Sequence, residues 1–239
     1  TMAAAPFAVF GAIAYTVSLQ GLGVIVDYSR LVGSFFLALF ILWAVLIAAG
    51  FLVLGPRVFK LIWDVRAPGL IAFATASSEA AYPRLLEQLE RHGIANRVVS
   101  FVLPLGYSFN LDGSMMYCTF AVMFIAQAMG IHLDIGQQLG MLLLLMVTSK
   151  GIAGVPRASL VVISATLPAM GMKPEWIALV LAVDAFMDMG RTATNVIGNS
   201  IASAVIAKWE GLLSDPTKDT PAVESVLGPE ESEGRAANT

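Results

Sequence analysis

Hydropathy divides the chain into long uncharged apolar runs separated by short polar breaks. Thr1 to Val26 and Leu31 to Pro56 contain no charged side chain, and each exceeds the ~20 residues a helix needs to cross about 30 Å of hydrocarbon. The pattern predicts one helix from Thr1 to about Gln20, a polar turn holding Asp27 and Arg30, and a second helix from Leu31 to Leu54, closed by Gly55 and Pro56. Residues 1–56 are thus expected to be two transmembrane helices. The stretch Leu61 to Leu89 differs: two modest helical runs are parted by Ala76, Ser77, Ser78, Glu79, Ala80 and Ala81, with Pro83 just beyond, and it is too polar to span. A second segment repeats the plan. Gln138 to Ser149 leads into Lys150, Gly151, Ile152, Ala153, Gly154, Val155 and Pro156, followed by an apolar run from Ser159 to Met170.

Residues 57–97 and 133–172 are therefore expected to be re-entrant helical hairpins, the first with cytoplasmic loops, with small-residue tips at membrane depth. Irregular backbone at that depth is tolerated only where protein or a water-filled cavity satisfies its N–H and C=O groups. Two such tips predict a cavity, and paired interrupted segments in the two halves of an inverted repeat mark the midplane site of a secondary transporter. The plainer alternative is a pair of amphipathic hairpins lying in the interface. The spans that follow each hairpin are also irregular. Residues 98–132 carry Gly106-Tyr107-Ser108-Phe109-Asn110-Leu111-Asp112-Gly113-Ser114 in mid-span, a composition that disfavours continuous helix and predicts local unwinding. The last span, residues 173–211 with its helix at about Pro174 to Ala207, bears Asp184, Asp188, Arg191, Asn195 and Asn199. At ~100° per residue these fall within an arc of about 80°, a single polar stripe on an apolar helix.

Composition agrees. Hydrophobic residues make up 57% of the 239 and charged residues only 13%, with a mean hydropathy of +0.78, which argues against a soluble enzyme, a secreted disulfide scaffold or a nucleic-acid binder. The net charge of −3 mostly reflects the acidic end, rich in Pro, Glu, Ser and Thr, so residues 212–239 are expected to be a disordered cytoplasmic tail. No basic surface is present to attract nucleic acid. The single cysteine, Cys118, lies in an apolar stretch and reads as packing. Thr1 is not an initiator methionine and the first apolar run lacks a signal peptide's basic flank, so a fragment of something longer is expected. Arg57, Lys60, Arg66, Arg84, Arg91 and Arg97 flank the first hairpin, while the opposite connections hold Arg30 alone, so the positive-inside rule puts the first hairpin's base and the tail in the cytoplasm.

An ionised side chain at the bilayer centre costs at least ~2.5 kcal/mol, so Asp112, Asp184, Asp188 and Arg191 together demand compensation. Arg191 paired with Asp184 or Asp188 would make a structural salt bridge. Three carboxylates against one guanidinium leave negative charge for a bound cation or protons, and the guanidinium suits an anionic substrate. An intramembrane aspartyl protease built on Asp184 and Asp188 is disfavoured, because both lie on one helix beside Arg191 whereas such a pair must share a proton from facing elements. A channel would require re-entrant tips that fail to close.

Four strings carry a resemblance: Ser77 to Pro83 (SSEAAYP), Tyr107 to Ser114 (YSFNLDGS), Ser149 to Arg157 (SKGIAGVPR) and Asp184 to Asn199 (DAFMDMGRTATNVIGN). In this order and spacing they resemble the dicarboxylate/amino-acid:cation symporter family of bacterial proton/sodium glutamate-aspartate transporters and their relatives, from about Ala5 to Gly211. The resemblance implies an all-α membrane protein with two re-entrant hairpins in an inverted-repeat transport core. It makes 1–56 the family's fifth and sixth spans, 98–132 the seventh and 173–211 the eighth, with the first four absent. It implies a multi-pass cell-membrane symporter that is a homotrimer when complete, not an enzyme and without a cofactor.

Carried over residue by residue, the resemblance implies that Arg191 binds the substrate's distal carboxylate, Asp188 its α-amino group with Thr192 assisting, and Asn195 and the Ser78 region the α-carboxylate. Ser114 stands for a threonine that helps with the distal carboxylate, and the backbone around Val155 closes over the ligand. Asn110 and Asp112 match cation-coordinating positions and are the candidate sodium ligands, Gly106 and Ser108 match such positions through backbone or hydroxyl oxygens, and Asn195 is a candidate for coupling as well as for the substrate. For each hydroxyl taken singly, a local bond to its own helix is an equal alternative. Two departures bear on coupling: Asn199 stands where sodium-coupled members carry an aspartate, and Ile152 where they carry a threonine. Protons are therefore the expected coupling ion, with sodium the alternative, and Asp112 and Asp184 are both candidate proton carriers, since a desolvated carboxyl can hold a proton without a coordination shell. The expected function is symport of glutamate or aspartate, with a C4-dicarboxylate as the alternative substrate. His92 and His132 read as solvated loop residues, Glu79 as a tip residue facing either cavity or cytoplasm, and the methionines as adaptable packing.

Overall fold

The computed structural model describes residues 11, 18, 23–109, 111–149 and 156–215, and among them all regular structure is helical, with one isolated antiparallel bridge between Ile94 and Leu213. The expected first helix falls almost wholly outside the described residues, as do Asn110, the tip from Lys150 to Val155, and 216–239. Helix α1 (Gly23–Leu54) runs unbroken through Asp27 and Arg30. The expected polar turn is thus helix, because residues 24–32 contain neither Gly nor Pro and both charged side chains are exposed on its surface. One face of α1 buries Tyr28, Leu31, Phe35 and Leu39, while Leu37, Ile41, Val45 and Leu52 are exposed on another. Ile25–Leu54 and Asn96–Ala128 are long and apolar enough to cross a bilayer.

The first hairpin region holds three helices: α2 (Arg57–Asp64), α3 (Arg66–Thr75) and α4 (Ser78–Arg91). The turn between α3 and α4 is only Ala76 and Ser77, shorter than the six-residue separation expected. Ala76 takes a left-handed φ of 49° that ends α3, and the Ser77 hydroxyl accepts from Ala80 N at 3.3 Å, restarting the chain as helix with Pro83 inside it. At its far end, His92 is buried, not solvated, with Nδ1 2.7 Å from Asp64 Oδ2. The expected tail also begins later than 212: Ser214 N donates to Gly93 O at 2.9 Å and Ala95 N to Leu212 O at 3.1 Å, tying the chain down through Ser214.

Helices α5 (Asn96–Phe109) and α6 (Asp112–Ala128) are separated at Leu111, whose φ of −109° and ψ of 57° are not helical. Next come α7 (Ile135–Thr148), started by a capping box between Asp134 and Gln137, and α8 (Ala158–Ala169), preceded by Arg157 at a left-handed φ of 66°. The final segment is not one helix from Pro174. A 3-10 turn (Pro174–Ile177) and α9 (Ala178–Leu181) give way at Ala182 and Val183 to α10 (Asp184–Trp209). The break places Asp184 in the first turn of α10, where unpaired N–H groups favour a carboxylate.

Helix α10 packs against α1, α3, α4, α5 and α6, and so forms the centre of the fold. Two apolar clusters flank it. One gathers Phe35, Leu39, Tyr117, Val122, Ile163 and Met187, the other Leu61, Leu85, Leu103, Val196 and Ala204. Along α10, Asp188, Arg191, Thr192 and Asn195 lie between Met187 of the first cluster and Val196 of the second, so the middle of the polar stripe sits where the two clusters meet.

Candidate functional site

Every polar side chain of α10 from Asp184 to Ser203 is buried. Buried polar groups must find partners, and those partners define the site. The Arg191 guanidinium meets Asp188 through Nε and Oδ1, one turn earlier on the same helix, and its Nη1 donates to Ser114 Oγ at 2.9 Å. The Ser114 hydroxyl also accepts from Asn195 Nδ2 at 3.0 Å. Asn195 Oδ1 in turn accepts from the backbone N–H of Gly113 at 2.9 Å and of Ser114 at 3.3 Å. These N–H groups belong to the first turn of α6, where Leu111 offers no side-chain cap, so an asparagine from another helix does the capping. The break between α5 and α6 and the polar stripe are therefore one structure.

This packing depends on a missing side chain. A Cβ on Gly113 would collide with the backbone carbonyl of Arg191, so only glycine lets α6 approach α10 closely enough for Asn195 and Ser114 to meet. Likewise a Cβ on Gly106 would collide with Asn199 Oδ1, which places Asn199 directly against α5.

Two residues that were given no role in the sequence complete the cluster. Tyr117 Oη donates to Asp184 Oδ1 at 2.6 Å, and Arg157 lies across both acids: its N–H donates to Asp188 Oδ2 at 2.8 Å and its Nε is 3.3 Å from Asp184 Oδ2. The charge count expected from the sequence, three carboxylates against one guanidinium, therefore changes. Asp184 and Asp188 face Arg157 and Arg191, while Asp112 lies at the start of α6. Tyr117 was legible in principle, three residues beyond Ser114 and so on the same face of α6. Arg157 was not, because its reach depends on a left-handed turn that no residue type announces.

The other candidates are dispersed. Ser108 and Asp112 line a small cavity of about 150 Å³ with Phe109, Leu111, Met115 and Ser149, beside the α5–α6 break. Ser108 Oγ donates to Pro104 O at 3.3 Å and Thr192 Oγ1 to Asp188 O at 2.7 Å, both within their own helices. Ser78 is buried at the start of α4, its carbonyl accepting from Tyr107 Oη at 3.0 Å, and Glu79 beside it is exposed. Asn110 and Val155 lie outside the described residues. No group of three or more His, Cys, Asp or Glu side chains is arranged to hold a metal among the described residues.

Comparison with known proteins matches residues 1–209 to the model of the sodium:dicarboxylate symporter family. A proton/sodium-glutamate symport protein of Bacillus subtilis (strain 168) is 43% identical over 219 residues, 92% of this chain and 51% of that protein. A C4-dicarboxylate transport protein of Stenotrophomonas maltophilia (strain R551-3) is 45% identical over 213 residues, 89% of this chain and 48% of that protein. A proton/sodium-glutamate symport protein of Bacillus caldotenax is 46% identical over 208 residues, 87% of this chain and 49% of that protein. The chain spans about half the length of these curated relatives.

Proposed function

This chain belongs to the sodium:dicarboxylate symporter family, and on that premise we propose that it carries the substrate-binding portion of a secondary active symporter for glutamate or aspartate, a carrier rather than an enzyme. The observation that supports this best is the buried Arg191–Asp188 pair, held from a second helix by Ser114. A guanidinium and a carboxylate side by side complement an amino acid with a second carboxylate: Arg191 takes the distal carboxylate with two parallel hydrogen bonds, and Asp188 takes the ammonium. Ion pairing inside the protein is exchanged for ion pairing to the ligand, so the empty site leaves neither charge uncompensated. Asn195 and the Ser78 region receive the α-carboxylate, Thr192 and the backbone at Val155 complete the pocket, and Asn110, Asp112, Gly106, Ser108 and Asn199 belong to the coupling-ion path.

In this reading α3–α4 and α7–α8 are re-entrant hairpins related as an inverted repeat, and alternating access moves them against a scaffold supplied by the rest of a homotrimer in the cell membrane. The coupling ion is a proton, because Asn199 and Ile152 withdraw hard oxygen ligands from a sodium site. Asp112 and Asp184 are the candidate carriers. The C4-dicarboxylate reading is supported by the 45% identity to the Stenotrophomonas C4-dicarboxylate transport protein and predicts no use for the acid at Asp188.

Uptake by the complete carrier in proteoliposomes tests both points. An inward pH gradient in sodium-free buffer should drive accumulation of labelled aspartate or glutamate, a protonophore should dissipate it, and aspartate should displace label better than succinate. Asn199→Asp should add sodium sensitivity. Transport silent without sodium at every pH would overturn the proton assignment, and stronger displacement by succinate would overturn the amino-acid assignment.

A further inference from the structure

Among the described residues, Arg157 is the one cation in the polar cluster that reaches it from outside α10. Its guanidinium is about half exposed at 47%, whereas the Asp184 carboxylate it faces is fully buried at 0%. Asp184 Oδ2 accepts no hydrogen bond, while Oδ1 is held by Tyr117, so the Arg157 Nε at 3.3 Å is what faces Oδ2. The backbone N–H of the same residue fixes Asp188 Oδ2, and Arg191 fixes Oδ1. Asp188 is thereby oriented from both sides, once by its own helix and once by the residue that precedes α8. That contact needs the left-handed φ of 66° at Arg157, a conformation that glycine would adopt more easily. Here an arginine occupies it.

We propose that Arg157 is a positioning and specificity-determining residue of the substrate site: it orients Asp188 through its N–H and, through its guanidinium, brings the charge of the four-residue cluster from −1 to zero. The inference rests on the substrate reading given above. Without Arg157, Asp184 and Asp188 face Arg191 alone, and the surplus negative charge opposes a dianion more than a zwitterion with a single net charge. Arg157 thus sets how far a plain dicarboxylate can compete with an acidic amino acid.

The test is competition against labelled aspartate by unlabelled aspartate and succinate, in proteoliposomes of the complete carrier. Arg157→Gln should raise the inhibition constant of succinate about ten-fold more than that of aspartate, the change expected from one unit charge about 10 Å away at an effective dielectric of about 20. Arg157→Lys keeps the charge and should keep the ratio within about two-fold of the parent. Arg157→Gln combined with Asp184→Asn removes one charge of each sign and should return the ratio toward that of the parent. An Arg157→Gln ratio equal to the parent's, or Gln and Lys variants that behave alike, would overturn the inference. A parent carrier that binds neither aspartate nor succinate would instead overturn the substrate reading, and the two failures are separate observations. Should Arg157→Gln not accumulate in membranes, Arg157→Gly, which also relieves the left-handed strain, reads the same ratio.

Discussion

Helices α1 and α10 are the two long helices that pack on each other, and they handle polarity in opposite ways. Helix α1 exposes its apolar side chains, Leu37 at 61%, Val45 at 59% and Leu52 at 87%, while α10 buries Asp184, Asp188, Arg191, Asn195 and Asn199 to 2% or less. In a water-soluble protein both choices would be costly. Against lipid the first is the ordinary state, and the second is tolerable only because each buried group is paired. Where they touch, the contact is mostly apolar, Phe36 and Leu39 against Gly190, with one polar link from Trp43 Nε1 to Thr194 Oγ1 at 2.8 Å. The exposed apolar side chains of α1 fit a surface against lipid, and the buried polar side chains of α10 are the candidate site.

The sharpest way to break that contrast is to unpair α10. Arg191→Ala leaves Asp188 buried with only the Arg157 N–H, and truncating one partner of a buried pair costs about 3–5 kcal/mol. The same change removes the partner for a distal carboxylate. Uptake of acidic substrate by the complete carrier should fall by at least about 100-fold, with residual binding in Arg191→Cys displaced toward neutral amino acids. Unchanged aspartate affinity would show that the buried pair is structural only.

A smaller effect compares the two sides of α10. A methyl group at Gly113 meets the backbone carbonyl of Arg191, which cannot move aside without shifting a helix, whereas one at Gly190 meets Leu39 Cδ1 at 2.9 Å and the Phe36 ring at 3.0 Å, both ends of flexible side chains. Gly113→Ala should therefore destabilise by about 1–3 kcal/mol and weaken substrate binding, since it pushes Ser114 and Gly113 away from Asn195. Gly190→Ala should cost about 1 kcal/mol or less and leave affinity unchanged. Thermal unfolding in detergent and substrate titration check both. Equal effects would mean that the α6 contact is no tighter than the α1 contact.

How much of this was legible from the sequence follows the same division. The polar stripe is readable because five polar residues recur at helical spacing in an apolar span, more than one structural salt bridge accounts for, and the interruption before Asp112 is readable because Asn, Asp and Gly cluster there. The turn expected at Asp27 and Arg30 failed, since two charges on a helix surface look the same as two charges in a loop until neighbouring Gly or Pro decides. The short cap at Ser77 was blurred by the alanines and serine around it, which serve helix and turn alike. His92 reads as solvated in the sequence because its partner, Asp64, is 28 positions earlier with two helices between them. Arg157 falls within the Ser149 to Arg157 string, but its partnership with Asp184 and Asp188 is tertiary and leaves no mark in the sequence.

The smallest effect tests the lipid side. If Leu52, 87% exposed, faces hydrocarbon, then Leu52→Ser should change the unfolding free energy of the detergent-solubilised complete carrier by no more than about 0.5 kcal/mol, as for a surface site with no specific partner. Phe35, 0% exposed on the same helix, provides the opposite limit, and Phe35→Ala should cost about 3–5 kcal/mol by opening a cavity against Tyr117 and Phe120. The pair fixes which way α1 faces without reference to transport. Should Leu52→Ser cost as much as Phe35→Ala, the exposed stripe would be covered by protein in the complete carrier, by another segment or another subunit, and its apolar character would report an interface rather than the membrane.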